Sequence, residues 1–104
     1  MINYLRIGIY KIAQGSYEKL VEQSRQRLTP FHRESPGFVF YSLTELDDGR
    51  VVSTSIWEKL EQAEAAASMS AEWIRSVNLA DSVVLEEKLI GEMTTLAAIA
   101  RRAV

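Results

Sequence analysis

Few groups in this chain could carry chemistry, and they follow none of the usual catalytic orders. His32 is the single histidine and cysteine is absent. Thiolate chemistry and disulfides are therefore excluded, and the scattered carboxylates lack metal-ligand spacing, so no metal site is expected. No Ser-His-Asp order, nucleophile elbow, phosphate loop or dinucleotide fingerprint is present. What remains suits the holding of an electron-rich or anionic molecule. Tyr4, Arg6 and Tyr10 alternate with Leu5, Ile7 and Ile9, which places them on one face of a strand. A guanidinium is a permanent cation. Arg6 could thus pair with an acidic or enolate substrate, or form an edge salt bridge with a carboxylate such as Glu45.

Further along, Tyr41 reads as a core aromatic or as a phenolic donor. Ser42, Ser53, Thr54 and Ser55 put hydroxyls where they could line a polar pocket, although such residues are also ordinary in strands. His32 falls near a predicted helix end. There the helix dipole favours a protonated surface imidazole, and that reading stands against one as a catalytic base. Trp57 and Trp73 are the largest apolar side chains. They either pack a sheet–helix junction or wall a pocket and stack on a planar ligand.

The elements that must position these groups are organised about Ser35–Glu58. Pro36-Gly37 cannot continue a helix. Two runs rich in aromatic and β-branched residues follow, Phe38–Leu46 and Arg50–Trp57, separated by Asp47-Asp48-Gly49, a strong hairpin turn. Strict alternation puts Phe38, Phe40, Ser42 and Thr44 on one face, opposite Val39, Tyr41, Leu43 and Glu45. On the second strand Val51, Ser53, Ser55 and Trp57 oppose Val52, Thr54 and Ile56.

Before the hairpin, Tyr4–Ile12 reads as a strand, and Ser16 as the N-cap of a helix with Tyr17, Leu20, Val21, Ser24, Leu28 and Phe31 inward. Pro30 predicts a kink or break. After the hairpin, Lys59 to Met69 is a strong helix former with Leu60, Ala63 and Ala67 inward, continuing to Val77 with Trp73, Ile74 and Val77 inward. Asn78 is read as a fresh N-cap, with a short helix through Leu85 and Leu89 ended by Gly91. Met93–Ala100 is then the fourth strand, and Arg101–Val104 a tail.

This order is βαββαβ, a single ferredoxin-like α+β domain over residues 1–104 with a four-stranded antiparallel sheet. Helices cover one sheet face. The other is too apolar for water, and the same face of a second chain is its expected cover, giving a homodimer. Fourteen acidic and twelve basic residues, with no basic block, argue against nucleic acid as a partner. Met1–Arg6 lacks the pattern of a signal peptide, and no apolar run approaches the ~20 residues of a membrane span. The expectation is a soluble cytoplasmic protein with no membrane partner.

Four short motifs in order complete the reading: Pro36-Gly37-Phe38, Ser55-Ile56-Trp57-Glu58, Glu61-Gln62-Ala63-Glu64-Ala65, and Ala71-Glu72-Trp73-Ile74. Together they resemble the antibiotic biosynthesis monooxygenase domain of the dimeric α+β barrel superfamily, over Leu5 to Ile99. The resemblance implies a homodimer whose two sheets form a central barrel, each subunit keeping a pocket between sheet and helices. Several members of that family oxidise aromatic polyketides with molecular oxygen and no metal or flavin. Others cleave haem, isomerise substrates or act in small-molecule signalling, and fold alone does not choose among them. Ser53 stands where the polyketide oxygenases carry an asparagine. Gly8 stands where haem-degrading relatives carry one, and no histidine follows residue 32.

The function expected from the resemblance is cofactor-independent oxidation of a small planar aromatic or quinone-type metabolite. Trp57, Trp73, Tyr41, Ser53 and Ser55 would bind it, and Arg6, Tyr10 and His32 would orient or deprotonate it. The alternatives are a non-catalytic binding or stress-response module and an isomerase or lyase on the same scaffold.

Overall fold

The computed structural model describes residues 2–95. Four strands form one antiparallel sheet in the order β2-β3-β1-β4: β1 (Asn3–Ile12), β2 (Phe38–Glu45), β3 (Val51–Trp57) and β4 (Val83–Met93). Helices α1 (Tyr17–Gln23) and α2 (Thr29–Glu34) are joined by a π-helical segment, Ser24–Leu28, into one arm, and α3 (Leu60–Ser76) crosses the same sheet face. This is the ferredoxin-like α+β architecture. No described helix is long and apolar enough to cross a membrane.

Strand β1 is central, pairing Arg6 with Ser55 and Gly8 with Ser53 on one side, and Ile7 with Leu89 on the other. Its alternation is realised as read. Arg6, Gly8 and Tyr10 are buried under the helices, while Leu5, Ile7 and Ile9 are half-buried on the uncovered face. Strand β3 alternates in the same sense, with Val51, Ser53, Ser55 and Trp57 buried. At the hairpin turn the Asp48 carboxylate accepts from the Arg50 backbone N–H at 3.0 Å and from its Nε at 2.8 Å. Gly49 takes the left-handed conformation there, at φ 87°.

Several expectations need correction. The segment through Leu85 and Leu89 is strand β4, not helix, although its glutamates and leucines favour a helix locally. Pairing along the whole length of β1 outweighs that propensity of a few tenths of a kcal/mol per residue. Only the first residue of the expected fourth strand lies in β4; its stretch 96–100 and the tail lie outside the described residues. Asn78 ends α3 instead of starting a helix. At φ 60° it closes a Schellman motif, with Asn78 N–H donating to Arg75 O at 3.1 Å and Leu79 N–H to Ile74 O at 3.0 Å. Leu60 is exposed, and Ala66 takes its place on the inner stripe of α3.

The helical arm also departs from a uniform 3.6-residue period. Leu20, Ser24, Leu28 and His32 are its buried residues. In a 3.6-residue helix each four-residue step overshoots by ~40°, so three such steps would rotate His32 off the stripe. The wider π turn absorbs that drift. It also places Pro30 in the first turn of α2, where its missing N–H costs little. As a result Phe31, expected inside, is 51 % exposed, and His32 is 1 % exposed. A bulge at Val39 in β2 brings Phe38 opposite Trp57 and Phe40 opposite Ile56. Phe38 therefore shares the covered face with Tyr41 and Leu43 rather than lying beside Phe40.

Candidate functional site

The covered face carries an unusual amount of polarity. Arg6 lies at the middle of the sheet with 1 % of its surface exposed. Its Nη1 donates to Ser53 Oγ at 3.3 Å and its Nη2 to Tyr10 Oη at 3.1 Å, while Nε has no partner. Among the described residues the one ion pair is Arg50–Asp48 at the hairpin turn, so no carboxylate neutralises Arg6. Sequence left open an edge salt bridge to Glu45. The structure excludes it, since Arg6 points inward and Glu45 sits at the far end of β2 opposite Val51. A buried cation without a counter-charge is costly.

Gly8 makes the Arg6–Tyr10 bond possible. A Cβ at that position would sit 3.0 Å from both Arg6 Nη2 and Tyr10 Oη. The two long side chains meet over the bare glycine. Because Arg6 donates to the Tyr10 oxygen, the phenolic proton of Tyr10 is left to point elsewhere, and a charge-assisted bond of this kind strengthens the phenol as a donor.

Beside this dyad, His32 sits in an aromatic cage. Its ring stacks on Phe38 (centroids 6.1 Å apart, planes 5° apart) and lies 5.0 Å from Tyr41 and 5.5 Å from Trp57. Burial first, and the charge of Arg6 second, lower its pKa from 6.5 to about 4. The protonated helix-end imidazole expected from position alone is thus replaced by a buried neutral one, with Nδ1 unpartnered. Burial pushes the Tyr41 phenol up, an effect partly offset by the hydroxyls of Ser24 and Ser53. Ser24 Oγ and Tyr41 Oη lie 3.2 Å apart.

Two spaces adjoin Tyr10. One is an interior cavity of ≈ 20 Å³ bordered by Tyr10, Tyr41, Ser53, Ser70 and Trp73. That is room for about one water, and the partnerless indole N–H of Trp73 is the donor it would satisfy. The other is an open groove of ≈ 270 Å³ between α3 and β4, with Arg6 and Tyr10 among its lining residues. Among the described residues no three His, Cys, Asp or Glu side chains cluster as a metal site would require.

With this geometry in view, the comparisons with known proteins are informative at the level of fold. No protein-family profile and no curated protein sequence matches the chain. Solved structures do. A monooxygenase from the ActVA-Orf6 gene of Streptomyces coelicolor, in complex with nanaomycin D, superposes with a TM-score of 0.64 at 23 % identity, covering 97 % of this chain and 94 % of that one. A variant of SnoaB, a cofactor-independent oxygenase from Streptomyces nogalater, does so with 0.61 at 16 % identity, over 95 % and 98 %. A candidate antibiotic biosynthesis monooxygenase from Chloroflexus aurantiacus gives 0.63 at 17 % identity, over 94 % and 97 %. The fold is that of the antibiotic biosynthesis monooxygenases.

Within that fold Arg6, Tyr10, His32, Tyr41, Ser53, Ser55, Trp57 and Trp73 reach the covered face but do not form one pocket. Ser42 and Thr54, paired with each other and level with Ile7, lie on the opposite face and border neither the interior cavity nor the groove. Tyr10, Tyr41, Ser53 and Trp73 border the interior cavity, and Arg6 is tied to two of them, Tyr10 and Ser53. Trp57 and Ser55 bond to each other instead, indole N–H to Oγ at 2.9 Å, and Trp57 packs against Phe38 and His32 rather than walling a cavity. Gly8, Ser24 and Phe38 were not recognised as parts of the site. Ser24 carried a signal, a polar residue on an otherwise apolar helical stripe. Phe38 carried none, because the bulge that turns it inward leaves no mark on the alternation.

Proposed function

We propose that this chain acts as a cytoplasmic homodimer that binds a small planar aromatic or quinone-type metabolite between sheet and helices. It would oxidise that metabolite with molecular oxygen, using neither metal nor flavin. The observation that carries the reading is the uncompensated Arg6 guanidinium, held against Tyr10 in a water-poor interior. Such a cation stabilises a substrate present as its phenolate or enolate, and the free O–H of Tyr10 supplies the hydrogen bond to the oxyanion. An anionic carbon centre gives electrons to oxygen, the resulting hydroperoxide loses water, and a CH₂ group becomes a carbonyl. Both oxygen atoms are accounted for, one in product and one in water, and no external reductant is needed. An imidazole with a pKa of about 4 is a weak base. In this proposal His32 fixes the aromatic cage and does not take the proton.

The dimer is supported by the uncovered sheet face. Leu5, Ile7 and Ile9 of β1 lie there beside Val52 and Ile56 of β3, with Phe40 and Leu89 exposed at its margins. A contiguous apolar face of this kind marks an interaction surface.

The test is oxygen uptake with hydroquinones and anthrones in air. Turnover above buffer is expected, with about a tenfold loss or more in Arg6→Lys and Tyr10→Phe. Turnover equal to buffer, or indifferent to both variants, would sink the reading. The open ≈ 270 Å³ groove that Arg6 and Tyr10 help to line fits a second reading, a binding module without chemistry. That module would gain thermal stability on adding the same compounds while forming no product.

A further inference from the structure

The groove between α3 and β4 reaches the buried charge of Arg6. Its α3 wall is made of Ala67 and Ala71, with Ala80 beyond the helix end, so the backbone of the helix is close to whatever lies there. On the β4 side Leu85, paired with Tyr10 and so on the same sheet face, is 44 % exposed, with no described residue lying over it. Arg6 and Tyr10 lie at the inner end, and Arg75 is also among the lining residues. The chain has fourteen carboxylates and a net charge of −2, yet none of the residues lining this groove is acidic. A flat apolar slot with two cations and no anion selects for shape and charge together.

We infer that this groove binds a two-ring aromatic molecule carrying one anionic oxygen function, a carboxylate or phenolate. Its rings lie between the alanines of α3 and Leu85 of β4, and its anionic oxygen sits at the inner end, where the field of the unneutralised Arg6 guanidinium and the Tyr10 O–H favour it. The inference keeps the ligand class of the oxygenase reading but assigns it a different place. Substrate approaches Arg6 from the β4 edge, not from the Trp57 end of the hairpin. At ≈ 270 Å³ the groove lies just below the usual range for ligand pockets, in keeping with a two-ring rather than a four-ring occupant.

The experiment measures binding of 2-naphthoate and of neutral 2-naphthalenemethanol to the intact protein by calorimetry. The acid is expected to bind saturably, one per chain, and at least ~10-fold more tightly than the alcohol, the usual value of one charge-assisted hydrogen bond. Ala71→Phe fills the slot from an exposed helix position and should weaken the acid ~10-fold or more. Ala65→Phe, exposed on another side of α3, should leave it within about twofold. Arg6→Met should abolish the preference for acid over alcohol, and if that variant fails to fold the Ala71→Phe comparison still decides. Absence of 2-naphthoate binding, equal affinity for acid and alcohol, or indifference to Ala71→Phe would each overturn the inference. Because 2-naphthoate lacks an oxidisable position, its binding stands apart from turnover. Binding without any oxygen uptake keeps the groove and sinks the oxygenase. Turnover untouched by Ala71→Phe does the reverse.

Discussion

The two faces of this sheet are built the wrong way round for a self-sufficient protein. The face under the helices buries Arg6, Ser53 and Ser55, with His32 and Ser24 brought down on them. The face that no described helix covers presents Leu5, Ile7, Ile9, Val52 and Ile56. Charged and hydroxyl side chains seldom lie fully buried, and contiguous apolar faces seldom stay in water. Both anomalies run along the same two strands, since β1 and β3 each alternate between the two sets. The difference teaches what each face lacks. The inner face has a positive charge and spare donors, and lacks an anion among the described residues. The outer face has apolar area, and lacks a cover among the described residues.

The sharpest way to break the comparison is to give the outer face the inner face's character. Ile7→Asp puts a carboxylate at the centre of the open sheet, beside Thr54 and Leu89. In a dimer that charge is buried without a partner, so a loss of ~100-fold or more in association is expected. Light scattering should show wild type as dimer and the variant as folded monomer. A wild type that is already monomeric at micromolar concentration would remove the outer half of the argument.

The inner face has the opposite test. Arg6→Met replaces an uncompensated buried cation with an apolar chain of similar length. The expected outcome is ligand binding weakened ~10-fold or more, with stability unchanged or raised by up to about 3 kcal/mol in denaturant titration. A variant less stable than wild type by more than about 2 kcal/mol would show Arg6 to be a structural strut, and the inner face ordinary.

The two faces were legible because alternation in a strand is local: Tyr4–Ile12 and Val51–Trp57 sort themselves residue by residue. The misreadings have two causes. Within β4 (Val83–Met93) the leucines and glutamates around Leu85 and Leu89 speak for a helix locally, and the strand expected only from Met93 starts ten residues earlier because its pairing with β1 lies some eighty residues away in sequence. Phe38 and Phe31 were each assigned to the wrong side by one residue, one through the bulge at Val39 and the other through the π turn at Ser24–Leu28. Each irregularity inserts a residue into a pattern read at fixed period. Both also deliver aromatic or imidazole rings to the site, which fits the frequency of π turns and bulges near functional positions. The missing counter-charge of Arg6 was beyond reach for another reason: it is the absence of a long-range contact.

A smaller effect separates the faces by pH. The folded-state pKa of His32 is about 4, below its unfolded value of 6.5. Between those values the unfolded chain takes up a proton that the fold refuses. Its neutral burial is therefore uncontested above pH 6.5, and stability declines as pH falls towards 4. Allowing for partial screening, the loss is about 1–3 kcal/mol. His32→Phe should flatten that part of the stability profile while leaving the carboxylate-driven decline at lower pH. An unchanged profile would mean that His32 protonates freely and that the inner face is wetter than its burial implies.

The least drastic change touches only the contact that joins the two halves of the dyad. Arg6 and Tyr10 are four residues apart on β1, with Cα atoms roughly 13 Å apart in an extended strand. Their side chains must lie down along the sheet to meet, and they cross over Gly8. A methyl there would press on Arg6 Nη2 and on the Tyr10 ring and oxygen, each 3.0 Å away. Gly8→Ala should nonetheless leave stability within about 1 kcal/mol, because alanine loses less chain entropy than glycine on entering a strand. The hydrogen bond is what should suffer, lowering the acid-over-alcohol preference by about threefold, part of one charge-assisted bond. If Gly8→Ala shifts stability but not that preference, the glycine serves the packing of the sheet. If it shifts the preference alone, the bare Cα exists so that a buried cation and a phenol can face an incoming anion together.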